Sequence, residues 1–380
     1  MNFELTPFQQ ALVDSAQRFA RDRLAPHYRA REQTGVIERD LIRAMGGLGF
    51  IAPEMPVDLG GSGVDVITSG LITEALAMGD FNIVYCQILA SLIGNCIVSY
   101  ANPEVCAELI PGMCSGETVC CIALTEPRGG SDAANLVVKA ERVGDHYVLS
   151  GEKSSISMAD QADFSLVFAR TGAAADKAHG VSAFIVDLRA PGVSRSRFDD
   201  VGEKAVGRGS IFLDGVRVHE RYRVGAEGKG FVQVMQGFDF SRALIGLQCL
   251  AIARICLDET WLYIQQRQAF GQPLAVNQGV TFPLAEAETY LEGARLVCLK
   301  ALWLKSANLP HTREAAMAKW WAPKLAFEIA HQCLLLHGHG GYSTDLPFEQ
   351  RLRDVLGLQI GDGTAHIMKM IIARGYLSKR

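Results

Sequence analysis

Thr125-Glu126-Pro127-Arg128-Gly129-Gly130-Ser131-Asp132 stands where the character of the chain changes. Before it, the apolar residues recur at the spacing of helices buried on one side. After it, they alternate in short runs between turn residues, the spacing of strands. The octet itself offers small side chains, hydroxyls and free backbone N–H groups. Such residues suit a glycine-rich turn, or a loop that receives an anion or a flavin edge.

Upstream of the octet, Gln9 to Leu24 is amphipathic, and Ile37 to Gly47 and Ser69 to Ala77 follow the same period. Asn82 to Tyr100 is nearly all apolar, which predicts a buried helix. Gly60-Gly61-Ser62-Gly63 marks a loop. Downstream, Tyr147 to Gly151, Phe164 to Phe168, Val181 to Val186, Ser210 to Leu213 and Val216 to Val218 read as strands. Gly144-Asp145, Gly151-Glu152 and Asp214-Gly215 read as turns between them. From Gly230 the helical period returns. Phe231 to Gln266 is long and interrupted near Asp239, and Leu284, Ala287, Leu291, Ala294, Cys298 and Ala301 form one helical face. Ala315 to Leu336 is helical with a kink at Pro323, and Ile367 to Leu377 closes the chain. The expected organisation is α+β and multidomain: an N-terminal α-helical domain over 1–118, a small antiparallel β domain over 119–228 and a helical domain over 229–380.

A chain of 380 residues with 49% hydrophobic and 21% charged content has the make-up of an ordinary globular protein. A net charge of −4, with Lys and Arg scattered, gives no electrostatic case for nucleic acid. No apolar run approaches the ~20 residues that span a bilayer. Met1-Asn2-Phe3-Glu4-Leu5 has neither signal-peptide nor transit-peptide character. Most of the ten cysteines sit in apolar runs, among them Cys86, Cys96, Cys249, Cys256, Cys298 and Cys333, and there is no Cys-x-x-Cys pair. Buried free thiols in a reducing cytoplasm account for that pattern.

Ile360-Gly361-Asp362-Gly363-Thr364 places a lone carboxylate on a turn that glycine makes cheaply. Desolvated there, Asp362 can serve as a general base; solvated, it is a helix-breaking turn.

Five motifs taken in order resolve this. The octet resembles the Thr-Glu-Pro-x-x-Gly-Ser-Asp signature of acyl-CoA dehydrogenases. Gly151-Glu152-Lys153 resembles the Gly-x-Lys of that family. Arg267-Gln268-Ala269-Phe270-Gly271-Gln272-Pro273-Leu274 with Gln278 resembles its Arg-x-x-Phe-Gly element. His337-Gly338-His339-Gly340-Gly341-Tyr342 and Arg353-Asp354 resemble the pieces near its end, and Asp362-Gly363-Thr364 falls on its Glu-Gly-Thr. The order and spacing hold over essentially the whole chain.

The resemblance implies a helical domain, a β-barrel-like domain and a four-helix bundle, in a homotetramer with non-covalent FAD. It implies desaturation of an acyl-CoA thioester, with electron-transfer flavoprotein as acceptor. Asp362 matches the base that takes the α proton while the β hydrogen leaves as hydride to flavin N5. Leu124, Thr125 and Ser131 match flavin-binding positions, and Ser131 also lies near the thioester. Ser155, Ser157, Thr364 and His366 match further FAD contacts. Arg267, Phe270 and Gln278 match residues that reach FAD, two of them usually that of a neighbouring subunit, and Gly338 belongs to the adenosine loop. Asp239 and Arg242 match a CoA-binding segment, and Gly363 adjoins the base on the substrate side.

Several positions depart from the family. Asp for Glu draws the carboxylate back by one C–C bond, roughly 1.5 Å. Gly361 replaces a bulky aromatic, and Ser155 replaces a Trp beside the flavin. Leu335 and His339 replace a Gln and a Gly in the adenosine loop. Ser241 occupies the alternative base site of the isovaleryl-type branch and cannot act as a carboxylate. His331, His337 and His339 lack a carboxylate partner, so packing or dinucleotide contact explains them better than a metal. Asp at the base position occurs in alicyclic dehydrogenases such as cyclohexane-1-carbonyl-CoA dehydrogenase, and in nitroalkane oxidase. A ring substrate has a tertiary α carbon and a wide body, which a shorter base beside glycine suits. The expected function is dehydrogenation of a cyclic or α-branched acyl-CoA. The alternatives are a flavin-dependent oxidase of the same fold and a flavoprotein without turnover.

Overall fold

The computed structural model describes residues 4–377. Six α-helices come first: α1 (Pro7–Phe19), α2 (Tyr28–Thr34), α3 (Arg39–Gly47), α4 (Val66–Ala77), α5 (Val84–Tyr100) and α6 (Pro103–Ser115). A capping box starts α1 two residues before the amphipathic stretch. Gln9 N donates to Thr6 Oγ1 at 3.2 Å and Thr6 N donates to Gln9 Oε1 at 3.1 Å, with Pro7 as the first helical residue. Residues 84–94 of α5 are all buried, as an apolar run without a polar face requires.

Eight strands follow: β1 (Cys120–Ala123), β2 (Lys139–Val143), β3 (His146–Ile156), β4 (Phe164–Arg170), β5 (Val181–Asp187), β6 (Val193–Arg197), β7 (Gly209–His219) and β8 (Arg223–Val224). They run in the order β6-β7-β3-β2-β4-β5-β8, with β1 attached to β4. The sheet is mixed rather than wholly antiparallel. β1 lies parallel to β4 from Cys120↔Phe164 to Ala123↔Val167, and β2 meets β4 in parallel at Lys139↔Arg170. The β2–β3 hairpin lies between β1 and β4 in the chain, giving the long crossover that parallel pairing needs.

Gly144-Asp145 does turn the β2–β3 hairpin. Gly151-Glu152 and Asp214-Gly215 do not turn; both lie inside long strands, at bulges. Leu149 faces Val216 and Gly151 faces Leu213, so Asp214 and Gly215 together oppose Ser150. Further along, Lys153 faces Ile211 and Ile156 faces Gly209, so Ser154 and Ser155 together oppose Ser210. A bulge needs the same permissive φ as a turn, and Gly151 and Gly215 supply +136° and +64°.

The chain then returns to helix: α7 (Gly230–Gln266), α8 (Gln278–Ser306), α9 (Thr312–Leu336), α10 (His339–Tyr342), α11 (Phe348–Gly357) and α12 (Ala365–Leu377). A short hairpin, β9 (Gln268–Ala269) and β10 (Gln272–Pro273), links α7 to α8. α7, α8 and α9 pack on one another, α12 packs on α9, and α4 and α5 lie against α7. The interruption expected near Asp239 is absent. Arg242 Nη1 and Thr312 Oγ1 donate to its two oxygens at 3.0 and 2.5 Å, so its carboxylate does not compete for the helix backbone. By length and composition alone α7 could cross a bilayer, but its apolar stretch is mostly buried within the protein, as a core helix is. All ten cysteines are free and buried.

Candidate active site

Asp362 lies between the end of α11 and the start of α12, half-buried, with φ +53°. Gly363 follows at φ +103°, a conformation that a residue with a side chain adopts only under strain. Gly361 is different. A Cβ would meet Gly357 O and Leu358 Cδ2 at an ordinary 3.7 Å, so a methyl would fit there in contact with both. Thr364 Oγ1 accepts from Ile367 N at 3.4 Å and caps α12.

Burial pushes the Asp362 carboxyl above the usual carboxylate range, and Lys319, Arg242 and Arg208 pull it back. Three cations from three segments therefore surround one carboxylate. Arg242, on α7, is held by Asp239, while its Nε is buried without a partner. Arg208 pairs with Glu203, and its Nη2 donates to Ser157 Oγ and to Tyr85 Oη at 3.5 Å. Tyr85 in turn donates to Glu203 Oε1 at 3.0 Å. Ser241 Oγ donates to Phe238 O at 3.3 Å and lies fully buried.

The octet is fastened to β3. Lys153, wholly buried, donates to Glu126 Oε1 at 2.8 Å and to Leu124 O at 3.0 Å. Glu126 also accepts from Val137 N at 2.7 Å and Val138 N at 3.0 Å. Ser154 N donates to Thr125 O at 2.9 Å. The motif's acid and the later lysine thus meet as a buried ion pair, and the loop carrying exposed Ser131 hangs from it. A cleft of about 80 Å³ lies along Leu124, Glu126, Arg128, Gly129, Asp132 and Leu136. The bulge puts Ser155 at φ +58° and exposes it. A larger cleft, about 500 Å³, runs along Gly35, Arg197, Glu203, Arg208 and Arg353. Its arginines are already paired, Arg197 with Asp160 and Arg353 with Glu32.

The chain thus gathers Asp362, Gly363, Asp239, Arg242 and Ser157 around one charge cluster, and sets Leu124, Thr125, Ser131 and Ser155 about the octet and the β3 bulge. Arg267, Phe270, Gln278, Gly338 and His366 stand exposed on the helical domain instead. His337 is packed between Tyr263 and Phe348, with ring centroids 4.1 and 4.3 Å away, and its Nδ1 lies 2.8 Å from Cys333 O. Among the described residues no three His, Cys, Asp or Glu side chains group to hold a metal. Sequence reading missed Lys319, Arg208, Glu203 and Tyr85. Lys319 did leave a signal, being the one charge on the face that runs through Ala315, Ala318, Ala322 and Ala326.

Three family descriptions match in order: the acyl-CoA dehydrogenase N-terminal domain over residues 6–117, the middle domain over 121–216 and the C-terminal domain over 228–377. The chain belongs to the acyl-CoA dehydrogenase family. This acyl-CoA dehydrogenase is similar to a probable acyl-CoA dehydrogenase of Bacillus subtilis, 35% identical over 380 residues, spanning 99% of this chain and 100% of that one. It is 31% identical to benzylmalonyl-CoA dehydrogenase of Aromatoleum aromaticum over 377 residues, spanning 98% and 99%. Its fold is that of butyryl-CoA dehydrogenase from Megasphaera elsdenii, with a TM-score of 0.96 and 30% identity over 99% and 100% of the two chains. Acyl-CoA dehydrogenases are FAD-dependent oxidoreductases. The residues here suit that cofactor. Among the described residues the hydroxyls of Thr125 and Ser155, both at proposed flavin positions, make no hydrogen bond.

Proposed function

We propose that this acyl-CoA dehydrogenase acts on a cyclic or α-branched acyl-CoA, with cyclohexane-1-carbonyl-CoA to the 1-ene as the type reaction, and that Asp362 takes the α proton. The observation that carries this reading is the pairing of Asp362 with Gly361. The base is short, and the position before it carries no side chain. A ring with a tertiary α carbon must approach a short base closely, and a glycine beside the base puts no bulk of its own in the way of its width. Burial makes Asp362 a stronger base than a solvated aspartate, while Lys319, Arg242 and Arg208 keep it ionised until the substrate arrives. The enolate oxygen that develops needs donors, and the Asp362 N–H is in the right segment to be one. Asp239, Arg242, Ser131 and Gly363 hold the thioester and CoA, so that remote binding energy aligns the α carbon.

When bound, FAD supplies the acceptor for the β hydride. Leu124, Thr125, Ser131, Ser155, Ser157, Thr364 and His366 would hold it within one chain. Arg267, Phe270 and Gln278 would also reach FAD, two of them that of a neighbouring copy, and Gly338 would lie by its adenosine. The exposed Leu262, Phe282, Tyr290 and Trp303 on α7 and α8 support a neighbouring copy on this face. A homotetramer, electron-transfer flavoprotein as acceptor and a reducing compartment such as the cytoplasm complete the proposal. The relatives' names bracket the substrate: one is named for benzylmalonyl-CoA, another for butyryl-CoA. The exposed Ser155 favours a second reading, an oxidase of the same fold with an open flavin flank.

The test mixes anaerobic holoenzyme with cyclohexane-1-carbonyl-CoA or with butyryl-CoA and follows bleaching of the flavin band. Faster bleaching by the cyclic thioester is expected; faster bleaching by butyryl-CoA discards the ring. Admitting air afterwards separates the two electron acceptors, since immediate reoxidation with peroxide would mark an oxidase.

A further inference from the structure

Lys319 sits on α9 with 1% of its surface exposed. Its ammonium donates to Leu358 O at 2.6 Å and to Gly363 O at 3.3 Å. Those two carbonyls bracket the segment that carries Asp362: one lies just past the end of α11, the other directly after the base. Asp362 and Gly363 are consecutive left-handed residues, a costly arrangement for the non-glycine member. Outside support must hold such a turn, and Lys319 bonds to both of its ends. The groups that face the ammonium are Asp362 in the loop, Arg242 and Cys249 on α7, and Glu203 ahead of β7.

We propose that Lys319 is the positioning residue of the base loop: its ammonium ties together the carbonyls on either side of Asp362 and sets the carboxylate where the α proton will be. This rests on the reading of Asp362 as the base. Burying an ammonium is expensive, and the hydrogen bonds that offset that cost here are the two to the base loop. Burial pushes the Lys319 ammonium down to about 8, with Asp362 the largest influence opposing that shift, so the two charges sense each other.

The experiment compares flavin-loaded Lys319→Met, Lys319→Gln and Asp362→Asn with the parent enzyme. Stopped-flow reduction at saturating thioester is followed across pH, with substrate affinity taken from the flavin spectrum. Lys319→Met is expected to slow reduction by about 10²-fold, the cost of a loop displaced by about 1 Å. Affinity should stay within about threefold, which separates loss of positioning from loss of binding. The acid limb should move up by about 1 to 3 pH units, because a nearby cation has gone. Lys319→Gln, which keeps one donor without the charge, should fall between. If Asp362→Asn is inactive while both lysine variants reduce flavin at the parental rate and with the parental acid limb, the inference is overturned and the base reading stands. If Asp362→Asn still reduces flavin, the base reading falls and this inference with it. Should Lys319→Met yield no flavin-loaded protein, Lys319→Gln decides. Failure of both to load would place the lysine in folding and overturn the proposal.

Discussion

Tyr28 Oη donates to Asp354 Oδ2 at 2.6 Å across a sequence separation of 326 residues. The same carboxylate accepts from Asn82 Nδ2 at 3.0 Å and from Glu203 N at 2.6 Å. One aspartate near the C-terminus therefore fastens the first helices and the end of the sheet to α11.

Asp354→Ala leaves three buried donors unpaired. The expected loss is about 3–5 kcal/mol, since each orphaned donor costs about 1–3. Urea titration of the holoenzyme checks it; a loss below about 1 kcal/mol would mean that water replaces the carboxylate.

Lys153→Met breaks the ion pair that holds the octet. Glu126 then lies buried with only two backbone donors, a change expected to cost about 3–5 kcal/mol. Because the octet is a proposed flavin contact, the purified variant should also carry less FAD. A full flavin complement would separate the octet from cofactor retention.

Gly361→Tyr places a bulky ring next to the base. Activity on the cyclic thioester should fall by about tenfold or more relative to butyryl-CoA, the scale on which small volume changes alter discrimination. Gly361→Ala should change little, because its Cβ makes only ordinary contact. The ratio of kcat/KM for the two thioesters is the measurement, and an unchanged ratio for the tyrosine variant would remove Gly361 from substrate choice.

The pH dependence of flavin reduction follows from Asp362. Only the ionised form accepts a proton, so activity is lost as pH falls through its pKa. Burial raises that pKa above the ordinary aspartate value. The acid limb should therefore lie above about pH 3.9, the value of a solvated aspartate. A limb at or below that value would show that the surrounding cations outweigh burial.

Much of this molecule is legible in the sequence because its chemistry is carried by short ordered motifs. Asp362 between glycines, the octet and the alternating runs each announce themselves locally. What was missed depends on segments that meet only after folding. Lys319 reaches carbonyls 39 and 44 residues away, and Arg208 reaches Tyr85 across 123. No spacing rule registers such meetings. Gly151 and Gly215 misled for another reason: positive φ serves a bulge as well as a turn, and only cross-strand register tells them apart. Asp239 misled because its helix-breaking tendency was cancelled by two partners, one of them 73 residues on.

The ten buried thiols give the protein a built-in alarm. While it is folded, burial raises thiols such as Cys86 to about 12 and keeps them out of reach of alkylating reagents. Once the chain opens, up to ten sulfurs become reactive together. A dye that captures free thiols would then count the opened molecules directly, with no change to the sequence. The same exposure makes each opening hazardous outside a reducing environment, where wrongly paired sulfurs would turn a reversible excursion into a permanent loss.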